Sequence, residues 1–218
     1  MKNKFISAEE AASMVKDGMT VMIGGFMAVG SPHSIIAKMV ERGVKDLTII
    51  CNDTAFPDKG IGLLIANKQV KRVITSHIGT NPCTIEQFNN KEISIEFNPQ
   101  GTLAERIRCA GAGLGGFLTP TGIGTIVEEG KQKINIDGRD YLLEKPLRAD
   151  IALLGASISD TIGNLVYKGS SQNFNPIMAT AADIVIAEAE EVVEAGQINP
   201  ENVKTQSIFV THIVKKSI

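Results

Sequence analysis

The 218-residue sequence predicts an α/β fold: a mostly parallel sheet covered by helices on both faces, with an inserted β-hairpin. Three observations carry this. Short apolar segments rich in Val and Ile alternate with segments of helical periodicity, as in repeated βαβ units. Several strand segments, residues 47–51 and 151–154 among them, are apolar almost throughout, as strands buried on both faces are. Asp137-Gly138 lies between two short strand-like segments and is a two-residue hairpin signal.

Each element has a local reason. Ser7-Ala8-Glu9-Glu10 is a capping box, which opens a helix to about Lys16. Residues 19–23 are apolar apart from Thr20, and Val21 and Ile23 suit a strand. Gly24 and Gly25 then free the backbone for close approach. Ser31 is expected to cap the next helix, with Pro32 at its first position. Ile35, Ile36, Met39 and Val40 form one face of that helix, which ends at Gly43. Residues 47–51 read as a strand, Asn52-Asp53 as a loop, 62–67 as a helix and 70–76 as a strand. A helix at 84–89 and a strand at 93–97 follow. Residues 102–110 read as a helix with Leu103, Ile107 and Ala110 on one face. Glycine and proline punctuate residues 111–130, which read as irregular. Residues 133–141 form the hairpin, and strands at 151–154, 184–187 and 208–214 complete the set. With no repeat or linker, residues 1–218 read as a single domain.

Composition excludes several classes of function. A net charge of −2 with scattered Lys and Arg gives no electrostatic footprint for nucleic acid. No apolar run approaches the roughly 20 residues of a membrane span, and the N-terminus lacks a signal-peptide core. The three cysteines, Cys51, Cys83 and Cys109, form no C-x-x-C pair, which fits a reduced, cytoplasmic compartment. His33, His77 and His212 have no partner at metal spacing, and His33 reads as an exposed residue of a first helical turn. Gly111-x-Gly113-x-Gly115-Gly116 follows a helix rather than a strand, which argues against a nicotinamide cofactor.

Two places carry chemistry. The strand-to-helix loop after residue 23 points free N–H groups at whatever sits above the sheet, a setting that favours anions and developing oxyanions. Gln100 lies between Pro99 and Gly101, where a strand gives way to a helix. A neutral amide there can donate to a carbonyl that is becoming an oxyanion, or it can be a plain loop glutamine. Glu105 and Arg106, one turn on, read as a structural ion pair. Glu188, Glu190, Glu191 and Glu194 read as solvated edges.

The stretch Asp17-Gly18 through Gly24-Gly25-Phe26, Gly30 and Pro32 resembles the signature of the alpha subunit of family I (3-oxoacid) CoA-transferases. Pro99-Gln100-Gly101-Thr102-Leu103-Ala104-Glu105-Arg106, Pro120-Thr121-Gly122-Ile123-Gly124-Thr125 and Asn173-Phe174-Asn175-Pro176 are similar to further hallmarks of that family. The likeness covers nearly the whole chain. It implies a fold of the CoA-transferase and sugar-phosphate-isomerase kind. It implies an alpha subunit that moves coenzyme A between an acyl-CoA and a short-chain carboxylic acid, of the acetate/butyrate–acetoacetate type. Coenzyme A is then a substrate and no cofactor is permanently bound. Gln100 becomes the oxyanion donor, Asn52 a supporting residue beside it, and Gly24, Gly25, Phe26, Met27, Ala28, Val29 and Gly30 the surface that meets CoA. Phe26 has two readings, over the pantetheine arm or in a subunit interface. The family's nucleophile is a glutamate of the beta subunit in a Glu-Asn-Gly setting. This chain has no Asn-Gly, so the resemblance implies a beta-subunit partner that brings the glutamate. The contrasting expectation is a non-catalytic ligand-sensing domain of the same fold superfamily, which has no need of an oxyanion donor.

Overall fold

The computed structural model describes residues 3–216. The larger sheet runs in the order β11-β10-β8-β1-β2-β3-β4, and every pair on that path is parallel. Its strands are β1 (Thr20–Ile23), β2 (Leu47–Ile50), β3 (Val70–Thr75), β4 (Ser94–Phe97), β8 (Ala149–Asp160), β10 (Ala182–Val193) and β11 (His212–Lys215). The short β9 (Leu165–Val166) pairs antiparallel with β8. The chain runs outward from β1 to β4, then returns to place β8 on the other side of β1. That reversal makes β1 and β8 the switch point of the sheet, and α/β folds bind ligands in the crevice beyond the carboxyl ends of strands at such a point.

The continuous apolar runs follow from a sheet buried on both faces. Val21, Ile23, Leu47, Ile49 and Leu153 pack against α1 (Ala8–Met14), α2 (His33–Arg42) and α3 (Gly62–Ala66). Their neighbours Met22, Ile50, Ala152 and Leu154 point the other way, against α5 (Gln100–Gly111) and α6 (Asn175–Met178). Side chains of a strand alternate between faces, so a strand covered twice needs an apolar residue at every position. The helix α4 (Pro82–Asn89) starts two residues before its expected position, because Asn81 caps it through Thr84 N.

Local signals acted as expected in several places. Ser7 and Glu10 form both hydrogen bonds of the capping box. Gly43 closes α2 in the left-handed conformation, with φ 64°. The hairpin of β6 (Lys133–Ile136) and β7 (Arg139–Glu144) turns at Asp137-Gly138, where both residues have positive φ.

Four expectations need correction. Residues 111–130 are not wholly irregular: β5 (Phe117–Thr119) pairs with β7, so the hairpin becomes a three-stranded antiparallel sheet. The strand expected at 208–214 is confined to β11, because only there does β10 offer a parallel partner; Ile208 is exposed. Glu105 and Arg106 do not pair with each other. Adjacent helical residues diverge, so Glu105 meets Arg108 on the surface while buried Arg106 reaches Glu96, Asn98 and the Lys145 carbonyl. Finally, Glu188 is not a solvated edge residue; it is buried in β10, as the next section describes.

Candidate active site

The loop that leaves β1 is compressed between neighbours. Gly24 N donates to the Leu153 carbonyl of β8 at 3.0 Å. A Cβ at Gly24 would sit 1.8 Å from Asn175 Oδ1. Gly25 has φ +116°, and a Cβ there would lie 2.1 Å from Ser31 Oγ. Both glycines are therefore required by close approach, and Gly25 also by its backbone.

A tight two-residue turn follows. Phe26 and Val29 exchange backbone hydrogen bonds at 3.0 and 2.9 Å. The turn residues, Met27 and Ala28, have φ of 49° and 69°. Turns of this form prefer Asn or Gly at both positions, and a non-glycine residue held there costs of order 1–3 kcal/mol. Something must hold it. The Met27 N–H donates to both carboxylate oxygens of Asp53, at 3.1 Å each, and Asp53 is only 1% exposed. Ala28 is buried beneath the turn, while Phe26, Met27 and Val29 project outward.

Ser31 does not cap α2. Its hydroxyl donates back to the Gly24 carbonyl at 3.0 Å and ties the loop's two ends together. The helix N-terminus is satisfied from the sheet instead. The Glu188 carboxylate accepts from Ser34 N at 3.1 Å and Ile35 N at 3.0 Å. A buried carboxylate at a helix N-terminus satisfies orphan N–H groups and meets the positive end of the helix dipole.

Gln100 is the first residue of α5, exposed above the end of β4. Its Nε2 donates to Asn52 Oδ1 at 2.9 Å. The second N–H of that amide has no partner among the described residues. Asn52, buried at the end of β2, is itself fixed: Ser76 Oγ donates to its Oδ1 at 3.1 Å, and its Nδ2 donates to Asn173 Oδ1 at 3.3 Å. The Asn52 amide is engaged at both ends and cannot rotate freely, so it offers Gln100 a fixed acceptor. Phe26, Gln100, Asn173 and Phe174 line one open crevice of about 400 Å³. The structure thus brings together Gln100, Asn52 and Phe26, and joins the glycine loop to them through Phe26. His33 stands apart, exposed in the first turn of α2.

Sequence reasoning passed over Asp53 and gave Asn175 no role. Asn175 is fully buried, and its Nδ2 donates to the carbonyls of Gly30, Ser171 and Gly155 at 3.0, 2.9 and 3.3 Å. Its Oδ1 accepts from Gly155 N at 3.3 Å. One side chain therefore knots the glycine loop, β8 and the segment before α6. The only signal available was membership of the Asn173-Phe174-Asn175-Pro176 motif.

Burial dominates the electrostatics under the loop. It raises the Asp53 carboxyl above its ordinary range, against the opposing pull of the Met27 and Ala55 N–H groups and of His77. Burial also pushes the Cys51 thiol up to about 12, which makes it an inert core residue rather than a nucleophile. No group of three His, Cys, Asp or Glu residues suited to a metal occurs among the described residues.

Fold and crevice together define an α/β protein with an open crevice over the carboxyl ends of its parallel strands, lined by a polar amide and by Phe26 of the pinned glycine loop. The chain belongs to the coenzyme A transferase family, whose pattern matches residues 5–216. It is 53% identical over 214 residues to the acetate CoA-transferase subunit alpha of Escherichia coli K12, covering 98% of this chain and 97% of that protein. It is 51% identical to the acetoacetyl-CoA:acetate/butyrate CoA transferase alpha subunit of Clostridium acetobutylicum, covering 99% of each. Among solved structures, an acyl-CoA transferase of E. coli O157:H7 in a thioester complex with CoA matches with a TM-score of 0.88 at 21% identity. That match spans 99% of this chain and 47% of the other, and it speaks to the fold alone.

Proposed function

We propose that this chain is the alpha subunit of a short-chain acyl CoA-transferase that acts with a beta subunit. It moves CoA between an acyl-CoA and a carboxylic acid, with acetate or butyrate and acetoacetate as the acids. The two relatives above carry those substrates in their names. The observation that carries the reading is the Gln100 amide, oriented by Asn52 on the rim of an open crevice beside the glycine loop.

The chemistry follows from a carboxylate nucleophile supplied by the partner. That glutamate attacks the thioester carbonyl, and the C–S bond breaks to give a mixed anhydride and the CoA thiolate. The thiolate attacks the glutamyl carbonyl, releases the first acid as its carboxylate and leaves a glutamyl-CoA thioester. The second acid repeats the sequence in reverse and departs as the new acyl-CoA. Each tetrahedral step builds negative charge on a carbonyl oxygen. In this reading the second N–H of Gln100 donates to that charge, and the hydrogen bond to Asn52 supports the assignment by restricting the amide. Phe26, Met27 and Val29 are exposed apolar residues of the turn, suited to a pantetheine arm or to the partner's surface. Among the described residues no helix is long and apolar enough to cross a membrane. We assign the enzyme to the cytoplasm, a reading that its three free cysteines support.

The test is co-purification with a beta subunit, followed by an acyl-exchange assay over acetate, butyrate, acetoacetate and succinate. The complex is expected to exchange CoA among the first three acids, and the isolated chain to be inactive for want of the nucleophile. A subunit completed in this way should bury well over 1,000 Å² against its partner. Robust exchange by the isolated chain, shown free of beta subunit, overturns the shared-site reading.

A further inference from the structure

We infer that Asp53 is a positioning residue for CoA transfer: its carboxylate, by holding the Met27 N–H, latches the Met27-Ala28 turn in the shape that meets the acyl-CoA. This rests on the transferase reading, in which the loop from Gly24 to Gly30 faces the substrate.

The geometry makes the latch specific. Asp53 lies at the end of β2, next to Asn52, so one short segment carries both supports of the site. Asn52 turns toward Gln100, while Asp53 turns toward the loop that leaves β1. The two side chains thereby set the two sides of the crevice relative to each other. The Asp53 contact engages the turn at Met27, the first of two non-glycine residues with positive φ. The Phe26–Val29 bridge closes the turn from inside but does not tie it to the sheet. Asp53 holds the turn itself, with both oxygens on the Met27 N–H, while Asn175 holds the far end of the loop at Gly30. Burying a carboxylate is costly unless it is hydrogen-bonded, and Asp53 offsets that cost with the Met27 N–H of the turn and the Ala55 N–H of its own segment. Without it, the turn residues can relax to negative φ, and Phe26 then leaves the crevice it lines.

The experiment uses the reconstituted complex carrying Asp53→Ala or Asp53→Asn. Asparagine retains a carbonyl acceptor for Met27 N–H; alanine does not. Amide hydrogen exchange at Met27 reads the latch itself, with Ile49 in β2 as the control for global opening. Asp53→Ala is expected to speed Met27 exchange at least tenfold, with Ile49 unchanged. It should also lower kcat/KM for acyl-CoA by about tenfold or more. Asp53→Asn should recover most of both. Equal acceleration at Met27 and Ile49 means that Asp53 acts on the whole fold, and overturns the proposal. So does an Asp53→Ala complex with unaltered kcat/KM for acyl-CoA beside an active wild-type complex. A wild-type complex that exchanges no CoA at all overturns the transferase reading instead, and this proposal falls with it.

Discussion

Gln100 Nε2 lies 2.9 Å from Asn52 Oδ1, across 48 residues of sequence. That hydrogen bond occupies one N–H of an exposed amide that lines the crevice, and leaves the other without a partner among the described residues. A donor fixed before reaction stabilises a developing oxyanion without reorganising. On the proposed reading, replacing it removes an interaction made mainly in the transition state. Gln100→Ala in the reconstituted complex is expected to lower kcat and kcat/KM by about 10²-fold, or roughly 3 kcal/mol. KM for the acid should change less. Gln100→Glu should be worse, since a carboxylate would face Asn52 Oδ1 and the growing negative charge together. Steady-state kinetics measures this, with thermal melting as the folding control. Retention of more than half the activity by Gln100→Ala returns the residue to the class of surface glutamines.

Where the reading of the chain succeeded, its signals were local. Ser7 and Glu10 sit three residues apart, Gly43 ends its own helix, and Asp137-Gly138 makes its own turn. Gln100 drew notice at a strand-to-helix junction, but the residues alone left it open as a plain loop glutamine, and its proposed role came from the family resemblance. The missed residues act at long range. Asp53 reaches back 26 positions to Met27, Asn175 reaches 145 to Gly30, and Glu188 reaches 153 to Ile35. No periodicity or spacing rule spans such distances. Glu188 was further disguised by Glu190 and Glu191, which are exposed where Glu188 is buried. Ser31 misled for the opposite reason: it has the right type and place for a cap, but Gly24 O competes for its hydroxyl and Glu188 already fills the helix end.

Gly25 tests the loop directly. A Cβ at this position would overlap Ser31 Oγ, and φ +116° is a conformation that side chains rarely adopt. Gly25→Val must therefore rebuild the backbone between β1 and the Phe26–Val29 turn. Strain of order 1–3 kcal/mol corresponds to about a tenfold or greater loss of turnover if the loop relaxes away from the crevice. Assembly with the beta subunit should survive, because the sheet and α2 keep their own contacts. Size-exclusion chromatography and kcat check the two halves of this expectation. Near-normal turnover shows that the loop is only a connector.

Asn175 should govern stability more than chemistry. Asn175→Ala leaves Gly155 N without its acceptor at a buried site, and the half-buried Gly30 and Ser171 carbonyls without their donor. Each stranded buried group costs about 1–3 kcal/mol, so a loss of roughly 3 kcal/mol or more is expected. For a chain of this size that lowers Tm by about 6–12 °C. Calorimetry measures it, and a shift under about 2 °C means that the loop repacks around the gap.

Glu96 should impose an acid limit on stability. It sits on β4 beneath α5, held by Arg106 at 2.6 Å and by Arg72. Burial alone would raise its carboxyl, but Arg106, Asn98 and Arg72 outweigh burial and hold it below its ordinary value of 4.5. A group whose folded pKa is depressed contributes stability that is present above the unfolded value and is lost as pH falls through the folded one. Wild-type Tm should therefore fall as pH drops below about 4.5. Glu96→Gln should start lower at pH 7, because Arg106 keeps only Glu144, Asn98 and the Lys145 carbonyl. The gap between the two proteins should then narrow toward pH 3, since protonation removes from the wild type what the substitution has already removed. Taking the difference between the two melting curves cancels the other carboxylates. A gap that stays constant from pH 7 to pH 3 means that Glu96 is not held ionised by its arginines in the folded chain.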